Sequence, residues 1–397
     1  MLGVYHKRFG WMYNRRMNKF VLAILGLVGG LSLVATDSLP ARVTPFFPGI
    51  PAPVWSGEGV ALGGSLNAIA IDGFEQPHVV LVDAENDRLF YARRRSGGWE
   101  VEDIAPFPVV APPADLAVDL SLNPNDDTPY VAYVNAAEDK LYLGHLPADE
   151  WQWEPLGAGG RLLSVRIDAS GNIHIVLLSG QTIRYLLRQN GVWNEEAIGE
   201  PDAYVWNLFL ALDQDGRPQV AGTGANGSFH AVREGLNDWR VEPLAVANIE
   251  GFTLFLGSDP YFLLTEAEPL GGRPPFSRVT LYLADHLNSE WHKRPLWTDD
   301  DWYVESDLAA SDTLPEDDDA LHIVFYDAQG RPHYVIAPPQ GPLRGERPFE
   351  FGMGEISLAL DSTGRPYVAH HDGAQLIVST RKTIRFEQAV YLPVGLR

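Results

Sequence analysis

Acidic side chains recur in this sequence at the ends of short apolar runs, where they could take part in chemistry. Four runs, PHVVLVD, PYFLLTE, LHIVFYD and PYVAHHD, end in Asp83, Glu266, Asp327 and Asp372. If the fold brings these runs together, two of the carboxylates could serve as the acid and base of glycoside cleavage. His371 precedes Asp372 and is the titratable group of this set that could change charge near neutral pH.

A second group of carboxylates lies near the starts of other apolar runs: Asp115, Glu250, Glu305 and Glu355. Carboxylate oxygens are hard ligands, so this group is a candidate site for Ca²⁺. The segment TDDDWYVESD adds Trp302 and Tyr303, which could contact a ligand. The alternative is a solvated acidic rim that keeps the protein soluble and binds nothing.

The elements that position these groups repeat along the chain. Residues 65–107 contain four short runs in which apolar and polar residues alternate, a pattern that predicts four antiparallel strands joined by turns. An aspartate ends the first strand of each of seven repeats, at intervals of 45 to 53 residues: Asp72, Asp119, Asp168, Asp213, Asp259, Asp312 and Asp361. Aspartate favours tight turns through its side chain, so these residues are interpreted as turn formers and not as catalysts.

Four strands in each of seven units predict an all-β protein, a seven-bladed β-propeller of four-stranded antiparallel blades, with six or eight blades as alternatives. Tryptophans that begin the fourth strand are interpreted as packing one sheet on the next: Trp99, Trp151, Trp193, Trp239 and Trp291. In a propeller, the turns after the second strands share a face with the connections between blades, so the acidic groups should converge on one mouth. The last repeat has its own fourth strand, TIRFEQAV at 383–390, so closure need not borrow a strand from the N-terminal side, although PVWSGEGVAL at 53–62 could add one to the propeller edge.

The N-terminal part of the chain is predicted to direct export and not to belong to the fold. Residues 1–35 contain five basic residues and no acid, and the apolar run at 20–35 suits a signal peptide better than a spanning helix. We therefore expect a signal peptide or signal anchor at 1–35, a proline-rich linker at 36–64 and the propeller at 65–397. Either form of signal places the propeller outside the cytoplasm, whether secreted, periplasmic or at the cell surface.

Composition limits the partners. The formal charge is -22, which makes nucleic acid and anionic membrane surfaces poor partners. The chain has no cysteine, which excludes disulfides, a thiol nucleophile and cysteine metal sites. We expect a monomer that binds a protein or a glycan, with no membrane contact beyond the N-terminal anchor.

The order of residues within a repeat is Asp-x-x-Gly-x-Pro, an apolar strand ending in an acid, Leu-x-Tyr and a Trp-led strand. Over residues 65–393 this order resembles secreted bacterial repeats of the sialidase-like (BNR-type) propeller superfamily, and the resemblance implies a propeller fold. Sialidases of that superfamily carry Asp boxes, Ser-x-Asp-x-Gly-x-x-Trp, which this sequence lacks, so no catalytic residue is carried over. We therefore predict a non-catalytic recognition or scaffold module. The alternative is a glycoside hydrolase or lyase that uses the mouth carboxylates.

Overall fold

The chain is built from β-strands. The computed structural model describes residues 54–62, 66–83, 86–106, 117–199, 205–246, 248–255, 259–271, 276–287, 290–300, 306–311, 320–327, 329–338, 342–350 and 352–382. These ranges form 28 strands in seven antiparallel four-stranded sheets and contain no helix. In particular, they hold no helix long and apolar enough to span a bilayer. The predicted signal at 1–35 lies outside the described residues.

Each sheet has an inner, a second, a third and an outer strand. The inner strands are β2 (Leu66–Ile71), β6 (Val118–Leu122), β10 (Arg161–Ile167), β14 (Val205–Leu212), β18 (Asn248–Phe255), β22 (Ser306–Ser311) and β26 (Met353–Leu360). The second strands are β3 (Pro77–Asp83), β7 (Pro129–Asn135), β11 (Ile173–Ser179), β15 (Pro218–Gly224), β19 (Asp259–Gly271), β23 (Ala320–Tyr326) and β27 (Pro366–His371).

The third strands are β4 (Arg88–Arg95), β8 (Lys140–His145), β12 (Thr182–Gln189), β16 (Gly227–Gly235), β20 (Phe276–Leu287), β24 (Pro332–Ala337) and β28 (Gln375–Lys382). The outer strands are β5 (Gly98–Pro106), β9 (Gln152–Ala158), β13 (Val192–Ala197), β17 (Asp238–Leu244), β21 (Glu290–Asp300), β25 (Arg344–Glu346) and, in the last blade, β1 (Val54–Leu62). Blades are numbered 1 to 7 in the order of their inner strands.

The seven sheets form a closed ring. Each inner strand contacts the inner strands of the two neighbouring blades, and contact between β2 and β26 completes the circle. Seven clusters of buried apolar residues fill the seven junctions, each cluster taking residues from two adjacent blades. The predicted fold class, an all-β seven-bladed propeller, is therefore confirmed.

Tryptophans of the outer strands cross the blade junctions, as predicted, and also form hydrogen bonds there. Three indoles donate from Nε1 to a glutamate of the preceding blade: Trp151 to Glu102 (3.3 Å), Trp193 to Glu154 (3.0 Å) and Trp239 to Glu196 (2.8 Å). Each glutamate follows the tryptophan of its own blade by three residues. A Trp-x-x-Glu pattern thus links an outer strand to both of its neighbours, and we call each indole–carboxylate bond a Trp–Glu latch.

The ring is closed by the segment that precedes blade 1. Strand β1 pairs with β28 as the outer strand of blade 7, and Trp55 Nε1 donates to Glu346 Oε2 of blade 6 at 3.0 Å. The prediction that closure needs no N-terminal strand is wrong, because VWSGEGVAL carries the Trp-x-x-Glu pattern of an outer strand. Residues 54–62 therefore belong to the fold and not to a linker at 36–64. The predicted strand at 383–390 lies outside the described residues.

The turn aspartates follow the predicted role in most repeats. Asp168 Oδ1, for example, accepts hydrogen bonds from the backbone N of Ser170 (2.9 Å) and Asn172 (2.8 Å). Asp119 is an exception, because it lies inside β6 and Asn123 makes the turn of that blade instead, accepting from Asn125 N at 3.1 Å. Asp119 is thereby free to bond a neighbouring blade.

Candidate functional site

One face of the ring carries the turns between second and third strands, and it is also where the inner strands begin, because successive strands run antiparallel. We call it the mouth face. Asp83 ends β3, Asp327 follows β23, Asp372 follows β27, and Glu266 lies in β19. The structure thus places these four sequence-predicted acids on one face, in blades 1, 6, 7 and 5, and bonds each of them within its own blade.

Asp327 is the most buried of the mouth acids. Its carboxylate Oδ1 accepts from the backbone N of Gln329 (2.9 Å) and Arg331 (3.0 Å), and Oδ2 accepts from Arg331 Nε (2.6 Å) and His333 Nε2 (3.1 Å). Burial alone would raise the pKa of Asp327, but these bonds outweigh burial and lower it. The carboxylate is ionised and fully used by its own turn.

The pair Asp327–His333 has a structural counterpart on the opposite face. His78 and His174 each follow a turn aspartate by six residues and contact its Oδ2, at 3.2 Å from Asp72 and 3.4 Å from Asp168. His333 follows Asp327 at the same spacing. We therefore interpret Asp327–His333 as a turn-stabilising pair and not as a catalytic dyad. Sequence reasoning did not single out His333, although this spacing would have indicated it.

Asp372 and His371 also shape their own turn. Asp372 Oδ1 accepts from the backbone N of Ala374 (2.8 Å) and Gln375 (2.9 Å), bonds that lower its pKa. His371 Nδ1 accepts from Gly373 N at 3.0 Å, and burial lowers the pKa of His371, so the ring is neutral at pH 7. Asp83 makes the equivalent bonds to Asn86, at 3.2 Å from its backbone N and 2.7 Å from its side-chain amide.

Glu266 lies on the largest departure from the repeat. Strands β19 and β20 contain 13 and 12 residues, whereas the other second strands contain six or seven. The inner strand β18 pairs with β19 only as far as Thr265. Beyond this point β19 and β20 continue without an inner strand, and β21 accompanies them as far as the pair Arg278–Asp300. Glu266 forms an ion pair with Lys293 of β21 at the base of this extension. We call residues 266–271 and 276–280 the blade-5 hairpin.

Carboxylates on the inner strands join neighbouring blades around the central channel. Glu355 Oε2 accepts from Asn67 N (3.2 Å), and Asn67 Nδ2 donates to the Glu355 carbonyl (3.2 Å), which joins blades 7 and 1. Asp119 Oδ2 accepts from Val165 N of blade 3 at 2.8 Å. Asp307 Oδ2 accepts from Leu358 N of blade 7 at 2.7 Å. Sequence analysis predicted Glu355 but missed these partners.

Glu250 performs the same task between blades 4 and 5. Its two carboxylate oxygens accept from Thr265 Oγ1 (2.7 Å) and Asn207 Nδ2 (3.2 Å). Burial raises the pKa of Glu250, and it raises the pKa of Glu355 to about 7 with a contribution from the Asp307 and Asp119 charges. Burial therefore disfavours the charged form of both carboxylates, and each of them accepts hydrogen bonds from protein groups.

The remaining predicted site residues, Asp115, Glu305, Trp302 and Tyr303, lie outside the described residues. Within the part of the chain that the structure describes, no group of three or more histidine, aspartate or glutamate side chains is arranged to hold a metal ion. The calcium site therefore stays a prediction for the undescribed connections, and Glu250 and Glu355 serve as links between blades.

No protein-family model matches the chain, and no curated protein matches it in sequence. Among solved structures, a catalytically inactive variant of virginiamycin B lyase from Staphylococcus aureus, with quinupristin, is similar with a TM-score of 0.55 at 11% identity, covering 83% of this chain and 100% of that one. Polysaccharide lyase Uly1 gives a TM-score of 0.52 at 11% identity, over 87% and 95% of the two chains. YCF48 bound to D1 peptide gives 0.51 at 16% identity, over 87% and 100%. Such identities establish a shared propeller fold alone, a fold found both in lyases and in a peptide-binding protein.

Proposed function

We propose that this protein is a non-catalytic, extracytoplasmic recognition or scaffold module that binds a protein partner at the mouth face, a glycan being the alternative ligand. The blade-5 hairpin is the observation that carries this proposal. Its six residues beyond Thr265 would extend about 20 Å past the end of the pairing with β18, at about 3.3 Å per residue. A loop that departs from a regular scaffold is where binding residues concentrate.

The hairpin offers side chains of both signs and a protected edge. Glu268 and Arg278 pair across the hairpin, with Lys293 and Glu266 at its base. Pro269 lacks a backbone donor, so the free edge of β19 is a poor template for strand addition. Side-chain contacts, and not β-augmentation, would therefore hold the partner. The peptide bound by YCF48 supports a protein ligand.

The state of the mouth acids supports binding over catalysis. Glycoside cleavage needs two carboxylates free to face the substrate, one as acid and one as base or nucleophile. Asp327 is buried in its turn, Asp372 and Asp83 bond local amides, and Glu266 is paired with Lys293. A hydrolase or lyase, the alternative function, would have to release one of these groups. The sialidase-like resemblance supports the same proposal through its missing Asp boxes.

The position of the chain ends supports a tethered module. Strand β1 begins, and β28 ends, on the face opposite the mouth, because outer strands run toward the mouth and third strands run away from it. A signal or anchor at 1–35 would therefore leave the mouth pointing away from a membrane. The basic and apolar residues of that segment support the proposed location outside the cytoplasm.

A hairpin-shortened variant tests this function. Glu266 faces Thr280 across β19 and β20, so residues 267–279 can be replaced by Asn-Gly, the favoured two-residue turn. The matched control places Asn-Gly at 180–181, the existing two-residue turn of blade 3. The full chain, the variant and the control are panned against a random peptide-display library and a glycan array.

We expect binders that are shared by the full chain and the control and are lost by the shortened variant. Binders that the shortened variant retains, or the absence of any binder on both the library and the array, would contradict the proposal. Thermal melts of the three proteins establish that a lost binder is not the result of unfolding.

A further inference from the structure

At two blade junctions a cleft opens beside the glutamate that follows the outer-strand tryptophan by three residues. Glu58, three residues after Trp55, accepts from Arg94 Nε at 2.6 Å. Glu242, three residues after Trp239, lies 3.6 Å from Arg240 Nη1. On the face opposite the mouth, both junctions open into a cleft, of about 350 Å³ between blades 7 and 1 and about 370 Å³ between blades 4 and 5. An arginine beside this glutamate is not particular to the two clefts, since Arg233 pairs with Glu196 and Arg381 pairs with Glu346.

The cleft between blades 7 and 1 combines aromatic and charged side chains. Trp99 and Tyr367 line it together with Arg94, Arg365, Glu58 and Glu75. Ser56 and Thr380 also line this cleft. Its volume falls within the range of about 300–1,000 Å³ typical of small-molecule sites.

Two buried donors at this cleft have no hydrogen-bond acceptor: Trp99 Nε1 and Arg365 Nε. Arg94 holds the glutamate that the latch pattern would assign to Trp99. Arg365 lies 3.6 Å from the Asp361 carboxylate and 3.8 Å from that of Glu75, beyond hydrogen-bond distance. Buried donors without acceptors are rare in folded proteins, and each calls for an explanation. Both donor atoms are shielded from solvent, so a ligand would reach them only if the Trp99 or Arg365 side chain turned toward the cleft.

We propose that this cleft is a binding site for a neutral saccharide ring. Its guanidinium and carboxylate groups nearly balance in charge, so a small anion or cation would meet as much repulsion as attraction. A ring of hydroxyl groups accepts from Arg94 and Arg365 while donating to Glu58 and Glu75. The apolar face of such a ring packs on the flat indole of Trp99. An aromatic plane beside paired donors and acceptors is the arrangement that a polyhydroxylated ring requires.

The cleft between blades 4 and 5 provides an internal comparison. It is lined by the corresponding charged groups Arg217, Arg240 and Glu242, and by Gln219 and His230, but no tryptophan or tyrosine lines it. Without an aromatic plane this cleft offers polar contacts only. We therefore assign the saccharide to the junction of blades 7 and 1. This site lies on the face opposite the blade-5 hairpin and does not depend on the function proposed for the mouth.

The test uses the full chain on an array of neutral and acidic saccharides, followed by titration of the retained sugar, as its methyl glycoside, with tryptophan fluorescence as the readout. Arg365→Gln and Arg94→Gln should each weaken binding at least about tenfold, the effect of one lost charged hydrogen bond. The matched control Arg217→Gln, in the other cleft, and the hairpin-shortened variant should bind as the full chain does. Thermal melts check that each variant is folded.

Three results would overturn the proposal. These are retention of no neutral saccharide, retention of acidic saccharides alone, and unchanged affinity in both Arg365→Gln and Arg94→Gln. Loss of saccharide binding in the hairpin-shortened variant would place the sugar at the mouth and would also overturn this assignment. Peptide binding at the mouth can fail or succeed without affecting any of these outcomes.

Discussion

Trp55 and Glu346 are 291 residues apart in sequence, and the Trp55 indole Nε1 donates a hydrogen bond to Glu346 Oε2 at 3.0 Å. The same carboxylate pairs with Arg381 Nη2 through Oε1 at 2.7 Å. Trp55 belongs to β1, Arg381 to β28 and Glu346 to β25, so this cluster fastens the first strand of the chain to its sixth and seventh blades. It repeats at the point of closure the latch used at the junctions of blades 1 to 4.

Removal of β1 should open the ring. Deletion of residues 1–62 leaves β28 with an unpaired edge and removes the Trp55 side chain from the blade 6–7 core. We expect that protein to lose its cooperative thermal transition, measured by circular dichroism. Deletion of residues 1–53 is the control and should melt within about 2 °C of the full chain, since a change that small corresponds to under about 1 kcal/mol. Equal melting of the two deletions would contradict closure through β1.

The latch bond can be isolated with two identical substitutions. Trp55→Phe removes an indole N–H that donates to a carboxylate, whereas Trp99→Phe removes one that has no acceptor. Trp55→Phe should therefore lower the free energy of unfolding by about 1–3 kcal/mol more than Trp99→Phe does. Urea denaturation of both variants measures the difference. A difference near zero would mean that the latch adds nothing to packing.

Asp327 and Asp372 should differ in their contribution to stability. Asp327→Ala leaves two backbone N–H groups, Arg331 and His333 without their buried acceptor. This substitution should lower the free energy of unfolding by about 3 kcal/mol. Asp372→Ala removes two bonds at an exposed turn and should cost about 1 kcal/mol. Denaturant unfolding of the two variants provides the comparison. Equal costs would show that the Asp327 turn is not the buried anchor described above.

Glu355 should make stability fall as the pH rises. Its pKa is about 7 in the fold against 4.5 for the free side chain, so the folded protein binds this proton more tightly. The stabilisation from the group is complete below about pH 4.5 and is lost as pH rises toward 7. Glu355→Gln should remove this loss. Between these pH values the free energy of unfolding of the variant should therefore rise relative to that of the wild type by up to about 3 kcal/mol. Free energies of unfolding measured for both proteins across this range give the result, and parallel curves would contradict it.

Buried histidines act in the opposite direction, so the Glu355 test relies on the difference between variant and wild type. Burial lowers the pKa of His370 to about 3, and its ring stacks on Phe349. The folded pKa lies below the free value of 6.5, so stability from this group is present above pH 6.5 and is lost as pH falls toward 3. The net pH profile of the wild type is the sum of both terms.

Local patterns in the sequence were sufficient to predict the fold. The alternation of apolar and polar residues and the turn aspartates such as Asp168 are local signals, because each depends only on residues a few positions away. Counting the repeats of these two signals gave the number of blades. The role of Asp119 could not be predicted in this way, because its partner Val165 lies 46 residues away. The closing strand was recognised only as the alternative that the sequence did not favour, although Trp55 and Glu58 carry the same spacing as Trp151 and Glu154.

The candidate site was only partly accessible to sequence reasoning. Placement of Asp83, Asp327 and Asp372 on one face follows from strand order, which the repeat reveals. The hydrogen bonds that these carboxylates make within their own turns depend on side-chain geometry, which strand order does not give. The pairing of Asp327 with His333 depends on side-chain geometry in the same way. The blade-5 hairpin could be recognised only as an insertion, because its extension beyond β18 is a property of strand register.

The proposed binding surface is the blade-5 hairpin, which includes Glu266, and not the turn carboxylates Asp83, Asp327 and Asp372. The most direct measurement is the dissociation constant, by calorimetry, of a library-selected peptide for the full chain, the hairpin-shortened variant and the blade-3 Asn-Gly control. Affinity should fall by about 100-fold or more in the shortened variant, as for loss of a principal contact region, and should stay the same in the control. Dissociation constants within about twofold for all three proteins would contradict it.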